Sequence, residues 1–267
     1  MKKNAEQDKK IKQALMLERN ADVYFSKRES QNSLKKALKT WQSSALLVPN
    51  ARIYSKLARG YYFLGDAFYV FKKDDRKRNK NFIIGLGYAE KSLRYSAPNV
   101  IAQVDNGVKF YQAVRSASKE AVPAMYWYAA CLSKWASLKG FITYLRYKDD
   151  IKSIMDTVEQ LSPYYFFAGS YRYSGMYHAI TAGLAGGSLR ISNTEFAKAV
   201  KIAPDYLGTK VLWAQFWAVR KQDRQIFERL IREVLEANLD MNFSIIPENK
   251  IAQVKAKRLL ANIENYF

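Results

Sequence analysis

Apolar residues recur along this chain at the spacing of a helix face. Leu34, Ala37, Leu38, Trp41 and Ala45 stand at i, i+3, i+4, i+7 and i+11, on one side of a helix that Pro49 should stop. Leu57, Tyr61, Leu64 and Phe68 form a second stripe, and after the polar run from Lys72 to Lys80 a partner helix should end before Pro98. Phe227, Leu230, Ile231, Val234 and Leu235 make a third face, and Ala252, Ala256, Leu259, Leu260 and Ile263 a fourth. No comparable stretch alternates with the two-residue period of a strand. The expected fold class is therefore all-α.

Segments before four prolines align with one another. Ala37, Trp41, Ser44 and Pro49 have the spacing of the second helix of a tetratricopeptide (TPR) repeat, and Phe196, Ala199 and Pro204 keep its last two intervals. Met155, Val158 and Pro163 keep them too, while the segment from Tyr88 to Leu93 before Pro98 fits after a one-residue slip. The pattern has a packing reason: an aromatic knob, a small residue where helices approach, then a proline that cannot continue the helix. The expectation is a single TPR-like α-helical domain over 1–267, built of antiparallel helix pairs with irregular insertions, with 1–30 as a basic N-terminal helix or lead-in.

Composition narrows the chemistry. The formal charge is +20, and the densest basic cluster (Lys72, Lys73, Arg76, Lys77, Arg78, Lys80) carries no interleaved glycine or aromatic residue, so it reads as a solvated inter-helix loop and not a nucleic-acid site. The single cysteine, Cys131, excludes an internal disulfide or thiolate cage and should be a buried helix residue. The single histidine, His178, excludes any metal site needing two imidazoles. Asp74-Asp75 and Asp149-Asp150 are sequence neighbours whose side chains diverge, and they read as loop and helix-start residues. Ala185-Gly186-Gly187-Ser188 lacks the Gly-Lys-Ser/Thr of a phosphate loop and reads as a helix-to-helix turn. No nucleophile, base and orienting group share a recognisable spacing, so neither an enzyme nor a cofactor or metal site is expected. The longest clean apolar run, Met125 to Leu132, is far shorter than the roughly 20 residues of a membrane span. Residues 1–8 are basic without an apolar stretch behind them, so either the protein is cytoplasmic or an export signal has been removed.

The unusual feature is aromatic content, with 19 Tyr, 14 Phe and 5 Trp. Two clusters stand out: Tyr126-Trp127-Tyr128 with Trp135, and Tyr164-Tyr165-Phe166-Phe167 followed by Tyr171, Tyr173 and Tyr177. Consecutive residues point round a helix in several directions, so some of these rings should line a cleft or a partner surface.

Several of these segments together resemble the T-component (TatT) family of TPR-protein-associated TRAP transporters. Leu57-Ala58-Arg59-Gly60-Tyr61-Tyr62 through Phe68 is similar to the family's early alanine, glycine and aromatic helix, and Ala124 to Ala130 with Trp135 to its central tryptophan motif. Leu161-Ser162-Pro163-Tyr164-Tyr165, leading to Gly169, Tyr171, Arg172 and Gly175, resembles the signature after the proline, with Ser162 where members usually have an acidic residue. Phe196 to Pro204, Val211 to Ala214, Phe227 to Leu235, Ala256 to Leu260 and Phe267 continue the order, so the resemblance runs from about Ser33 to the end. It implies a non-enzymatic periplasmic protein, secreted or lipid-anchored, that binds the P-component, the solute receptor of a TRAP transporter. It also implies a homo-oligomer, in one form a trimer, with a cavity for a small hydrophobic or organic-acid ligand. The signal and lipid-bearing cysteine it implies are not in this chain. Combined with the aromatic clusters, it nominates Tyr61, Tyr126, Trp127, Tyr171, Arg172, Tyr173, Tyr177 and His178 as ligand- or partner-binding residues. A cytoplasmic TPR scaffold for an acidic peptide is the alternative, and a basic RNA-binding helical repeat is opposed by the lack of a repeated base-reading pair.

Overall fold

The computed structural model describes residues 2–183 and 186–267. Among the described residues there is no strand, only one isolated bridge between Ala182 and Gly187, and the fold is all-α as the periodicity predicts. The chain forms two compact units, Met1–Leu161 and Ser162–Phe267.

In the first unit, α1 (Lys2–Ser26) packs on α2 (Gln31–Leu47), and α3 (Ala51–Leu64) packs on α4 (Asp75–Ser96). α3 continues into a wider π-helical turn, Gly65–Tyr69. After α5 (Pro98–Asp105) and the short α6 (Phe110–Ala113), α7 (Val122–Leu138) packs against α3, α4 and α8 (Phe141–Leu161). In the second unit α9 (Tyr165–Ile180) packs on α10 (Leu189–Ile202). There α11 (Gly208–Leu212) runs through a π-helical stretch, Trp213–Ala218, into α12 (Val219–Lys221). α13 (Arg224–Leu235) then packs on α14 (Ile246–Ala261). Packing of successive helices in pairs fits a helical-repeat arrangement.

Local sequence explains the boundaries. Side-chain oxygens of Ser30, Asn50, Asp74, Ser188 and Asp223 accept amide protons of the first turns of α2, α3, α4, α10 and α13, each satisfying a donor the helix itself leaves open. α2 ends just before Pro49, and Pro98 occupies the first turn of α5, where its missing N–H costs nothing. Two expectations need correction. The basic run is not a loop: its helix begins at Asp75, so Arg76, Lys77, Arg78 and Lys80 lie on α4, with Asp74 as its cap. Asp149 and Asp150 are not helix-start residues either, because α8 begins at Phe141 and they sit within it. In both cases the charged residues ride the solvent side of a helix whose other face is buried, which a local reading of polarity takes for loop. Gly186–Ser188 do lie between α9 and α10, and Ala185 falls outside the described residues.

The repeat positions are core positions. Ala37, Trp41 and Ser44 of α2 are buried, and Ser44 Oγ donates to the carbonyl of Ala14 at 2.9 Å, tying α2 to α1. Trp41 Nε1 donates to Asp22 at 3.0 Å, so the largest ring in this interface keeps its polar atom satisfied. Phe196 and Ala199, and Met155 and Val158, are buried likewise. Close helix approach fixes two glycines. A Cβ at Gly85 would stand 2.8 Å from Cys131 Sγ and 3.3 Å from the Ala58 carbonyl, and one at Gly175 would meet the fully buried Phe196 ring at 2.8 Å.

Candidate functional site

α3 and α4 carry an alternating ladder of four tyrosines. In the order Tyr95, Tyr54, Tyr88, Tyr61, successive ring centroids are 5.8, 6.1 and 5.6 Å apart, and the Tyr61 and Tyr88 planes differ by only 16°. The ladder arises because Tyr54 and Tyr61 are seven residues apart on α3, as are Tyr88 and Tyr95 on α4, so each pair lies along one face. Gln42 of α2 reaches across and its Nε2 donates to both Tyr61 Oη, at 3.0 Å, and Tyr88 Oη, at 2.9 Å. The Lys91 ammonium stands 5.5 Å from the Tyr88 centroid and 5.9 Å from that of Tyr54. Tyr61 and Tyr88 are half-buried, while Tyr95 is 54% exposed. Burial, with the Tyr88 phenol beside it, holds Tyr61 above the usual phenol range, and burial does the same for Tyr54. Both therefore remain neutral at physiological pH. Sequence reading singled out Tyr61 alone here. The seven-residue spacing of Tyr54/Tyr61 and Tyr88/Tyr95 was the available signal for the others.

Tyr126 and Trp127 are packed in the core of the first unit and present no open cleft. Their rings meet edge-on at 5.0 Å, and Trp127 lies 5.4 Å from Tyr62. Neighbours explain how consecutive aromatics can all be absorbed: α7 has α3, α4 and α8 around it, so it is enclosed on several sides. Tyr128 faces Phe110 at 4.9 Å, and burial, then the carboxylates of Glu90 and Asp150, push its phenol up to about 12. Cys131 is fully buried on the same helix and its thiol is pushed far up by burial, away from thiolate chemistry.

In the second unit the aromatic run after Pro163 encloses a backbone anomaly. Phe166, Phe167 and Ala168 have φ of 45°, 58° and 57°, three successive left-handed residues without a glycine among them. For L-residues this conformation costs roughly 1–2 kcal/mol each, so surrounding contacts must hold it. Arg172 supplies them. Its Nη1 donates to the Phe167 carbonyl at 2.8 Å and its Nη2 to that of Phe166 at 3.1 Å, with Thr209 Oγ1 at 3.4 Å from Nη1. The guanidinium lies 4.4 Å from the centroid of Tyr206, on which Phe167 stacks at 5.2 Å and 12°. Arg172 is only 5% exposed. Beyond it, Tyr173 and Tyr177 are buried with centroids 6.2 Å apart, and the half-buried His178 meets Tyr177 edge-on at 5.3 Å. Tyr171 is half-buried beneath the Lys198 ammonium at 5.5 Å.

Of the eight nominated residues, Tyr126, Trp127, Arg172, Tyr173 and Tyr177 are buried, and Tyr61, Tyr171 and His178 keep partial exposure. Tyr61 joins the ladder in the first unit, and Arg172 anchors the turn in the second. Among the described residues no group of three or more His, Cys, Asp or Glu side chains is arranged to hold a metal ion.

A comparison with known families decides the identity. The TRAP transporter T-component model matches residues 37–267, most of the chain. The chain belongs to the TRAP transporter T-component family. A search of curated proteins returns no match. The family assignment makes the chain an accessory component of a TRAP transport system, and among the described residues no helix is long and apolar enough to cross a membrane. The T-component match takes in the ladder from Gln42 onward as well as the Arg172 turn.

Proposed function

We propose that the chain is a non-enzymatic, periplasmic T-component that binds the P-component, the solute receptor of its TRAP transporter, through the tyrosine ladder of α3 and α4. The observation that carries this reading is a row of four rings, braced from α2, that remains partly open within a chain of the T-component family. Rigid aromatic rings with polar tips give large contact area at small entropic cost, which suits a protein-docking face. Tyr61 is the nominated residue on this face, at the end of the row that Gln42 braces. Tyr171 and His178, half-buried, are separate candidate contacts of the second unit, while Tyr126 and Trp127 pack the core of the first unit and Arg172, Tyr173 and Tyr177 that of the second. A homo-oligomer, a lipid anchor on the precursor and a small hydrophobic ligand belong to the same proposed role.

Calorimetric titration of the purified chain with the P-component of its own system tests this. A saturable 1:1 heat is expected, weakened about tenfold or more by Tyr61→Ala with Tyr88→Ala, since a few aromatic contacts carry much of an interface's energy. Absence of binding by the unmodified chain would refute the role. Binding that ignores the double change would move the interface elsewhere.

A further inference from the structure

A primary amide nitrogen has two protons, and Gln42 spends both on the ladder, one on Tyr61 Oη and one on Tyr88 Oη. Each phenol oxygen is thus an acceptor towards Gln42 and must direct its own O–H proton elsewhere. Neither hydroxyl donates to any acceptor among the described residues. The stacked rings hold these two donors side by side, and the exposed Lys91 ammonium adds positive charge at the Tyr88 end. Two neutral O–H donors and a cation make a receptor for an oxyanion, and the planar, two-oxygen group that accepts from paired donors is a carboxylate.

We propose that the Tyr61–Tyr88 phenol pair, with Lys91 beside it, is a carboxylate-binding site that receives an acidic segment of a partner protein. Extent and charge favour a chain over a free acid. The ladder continues past the phenol pair to Tyr54 and the exposed Tyr95, and Leu46, one turn beyond Gln42 on α2, is 85% exposed, so an extended segment would find contacts on either side of the carboxylate. The chain's +20 charge draws acidic segments towards it. The inference rests on the ladder being the docking face of the T-component and adds the chemistry of what docks.

The test is fluorescence anisotropy of the full chain with a labelled peptide of alternating Glu and Leu, in parallel with glutarate as a free dicarboxylate competitor. Saturable binding that weakens as salt rises is expected, reduced about tenfold or more in the Tyr61→Phe/Tyr88→Phe double variant and several-fold in Lys91→Gln. Tyr164→Phe, which removes an exposed phenol outside the ladder, should bind as the unmodified chain does. The Phe substitutions keep both rings, and if the double variant nevertheless fails to fold, exposed Lys91→Gln still reads the site. Unchanged affinity in the folded double variant, or in Lys91→Gln where the double does not fold, overturns the proposal. Equal loss in Tyr164→Phe does so as well, and so does glutarate binding as tightly as the peptide, which would make the occupant a small acid. Peptide binding that depends on the ladder while P-component binding does not would instead refute the assigned partner and leave the carboxylate site standing.

Discussion

The ladder of the first unit and the turn of the second are made of the same materials, tyrosine or phenylalanine rings with a basic side chain over them. In the ladder the backbone is regular helix, so the rings are free to stand outward, Lys91 stays in solvent and two phenol protons remain to be offered. Around Phe166–Ala168 the rings of Phe166, Phe167 and Tyr206 are half-buried as well, but the backbone is left-handed and the buried Arg172 guanidinium gives its donors to carbonyls of that backbone. An aromatic-rich, basic segment therefore does not by itself mark a binding surface. What separates the two is whether the local backbone has strain to offset.

The largest expected consequence lies at the cation. Arg172→Ala removes charge-assisted bonds to two backbone carbonyls and the cation over Tyr206 from a buried setting, and should destabilise the chain by about 3–5 kcal/mol. Urea unfolding followed by tryptophan fluorescence measures it. A loss below about 1 kcal/mol would mean that the stacked rings hold the turn without the arginine.

A smaller effect of opposite sign in the two regions sharpens the contrast. Ala168→Gly, at a φ of 57°, should stabilise by roughly 0.5–1 kcal/mol because glycine accepts the left-handed conformation without penalty. Ala58→Gly, in the regular α3 behind the ladder, should destabilise by about 1 kcal/mol. Thermal melts of both variants that moved in the same direction would remove the idea that strain distinguishes the regions.

The smallest expected effect is a pH dependence that runs through Glu18 of the first unit. Burial opposes the charge of Glu18 on α1, yet hydrogen bonds from Lys56 at 2.8 Å and Arg52 at 2.8 Å hold its carboxyl below the ordinary value of 4.5. A carboxylate with a depressed folded pKa contributes stability above its unfolded pKa and loses it as pH falls through the folded one. Glu18→Gln should therefore cost about 1 kcal/mol near neutrality and progressively less below pH 4.5, where the unmodified chain loses the same advantage. Hydrogen exchange should show acid loosening the contact of α1 with α3, which carries Arg52 and Lys56.

Most of the fold was legible in the chain. The face of Leu34, Ala37, Leu38, Trp41 and Ala45 is the buried face of α2, and the face of Phe227, Leu230, Ile231 and Val234 is that of α13, because helical periodicity records which side of a helix avoids water. Polarity misled where a helix was charged on its outer side, at Arg76 to Lys80 and at Asp149-Asp150. Of the candidate surfaces, Tyr61 was recognised while Gln42, Tyr54, Tyr88, Tyr95 and Lys91 were not: the seven-residue spacing marks the tyrosines of each helix, but nothing local joins one helix to the next or to Gln42.

The sequence by itself determined the helices, their caps and breaks, the burial of Cys131 and the T-component family, because each rests on residues a few positions apart or on an ordered series of them. Only the tertiary structure decided which aromatics are core and which are surface. Trp127 and Tyr61 are both aromatic residues within helices that have three helix neighbours each, but Trp127 lies on a side those neighbours cover and Tyr61 on a side of α3 they leave partly open. The left-handed turn belongs to the same class of decisions. Nothing in Phe166-Phe167-Ala168 favours it locally, and it exists because Arg172 of α9 and Tyr206 of the turn before α11, brought near by folding, offset its cost.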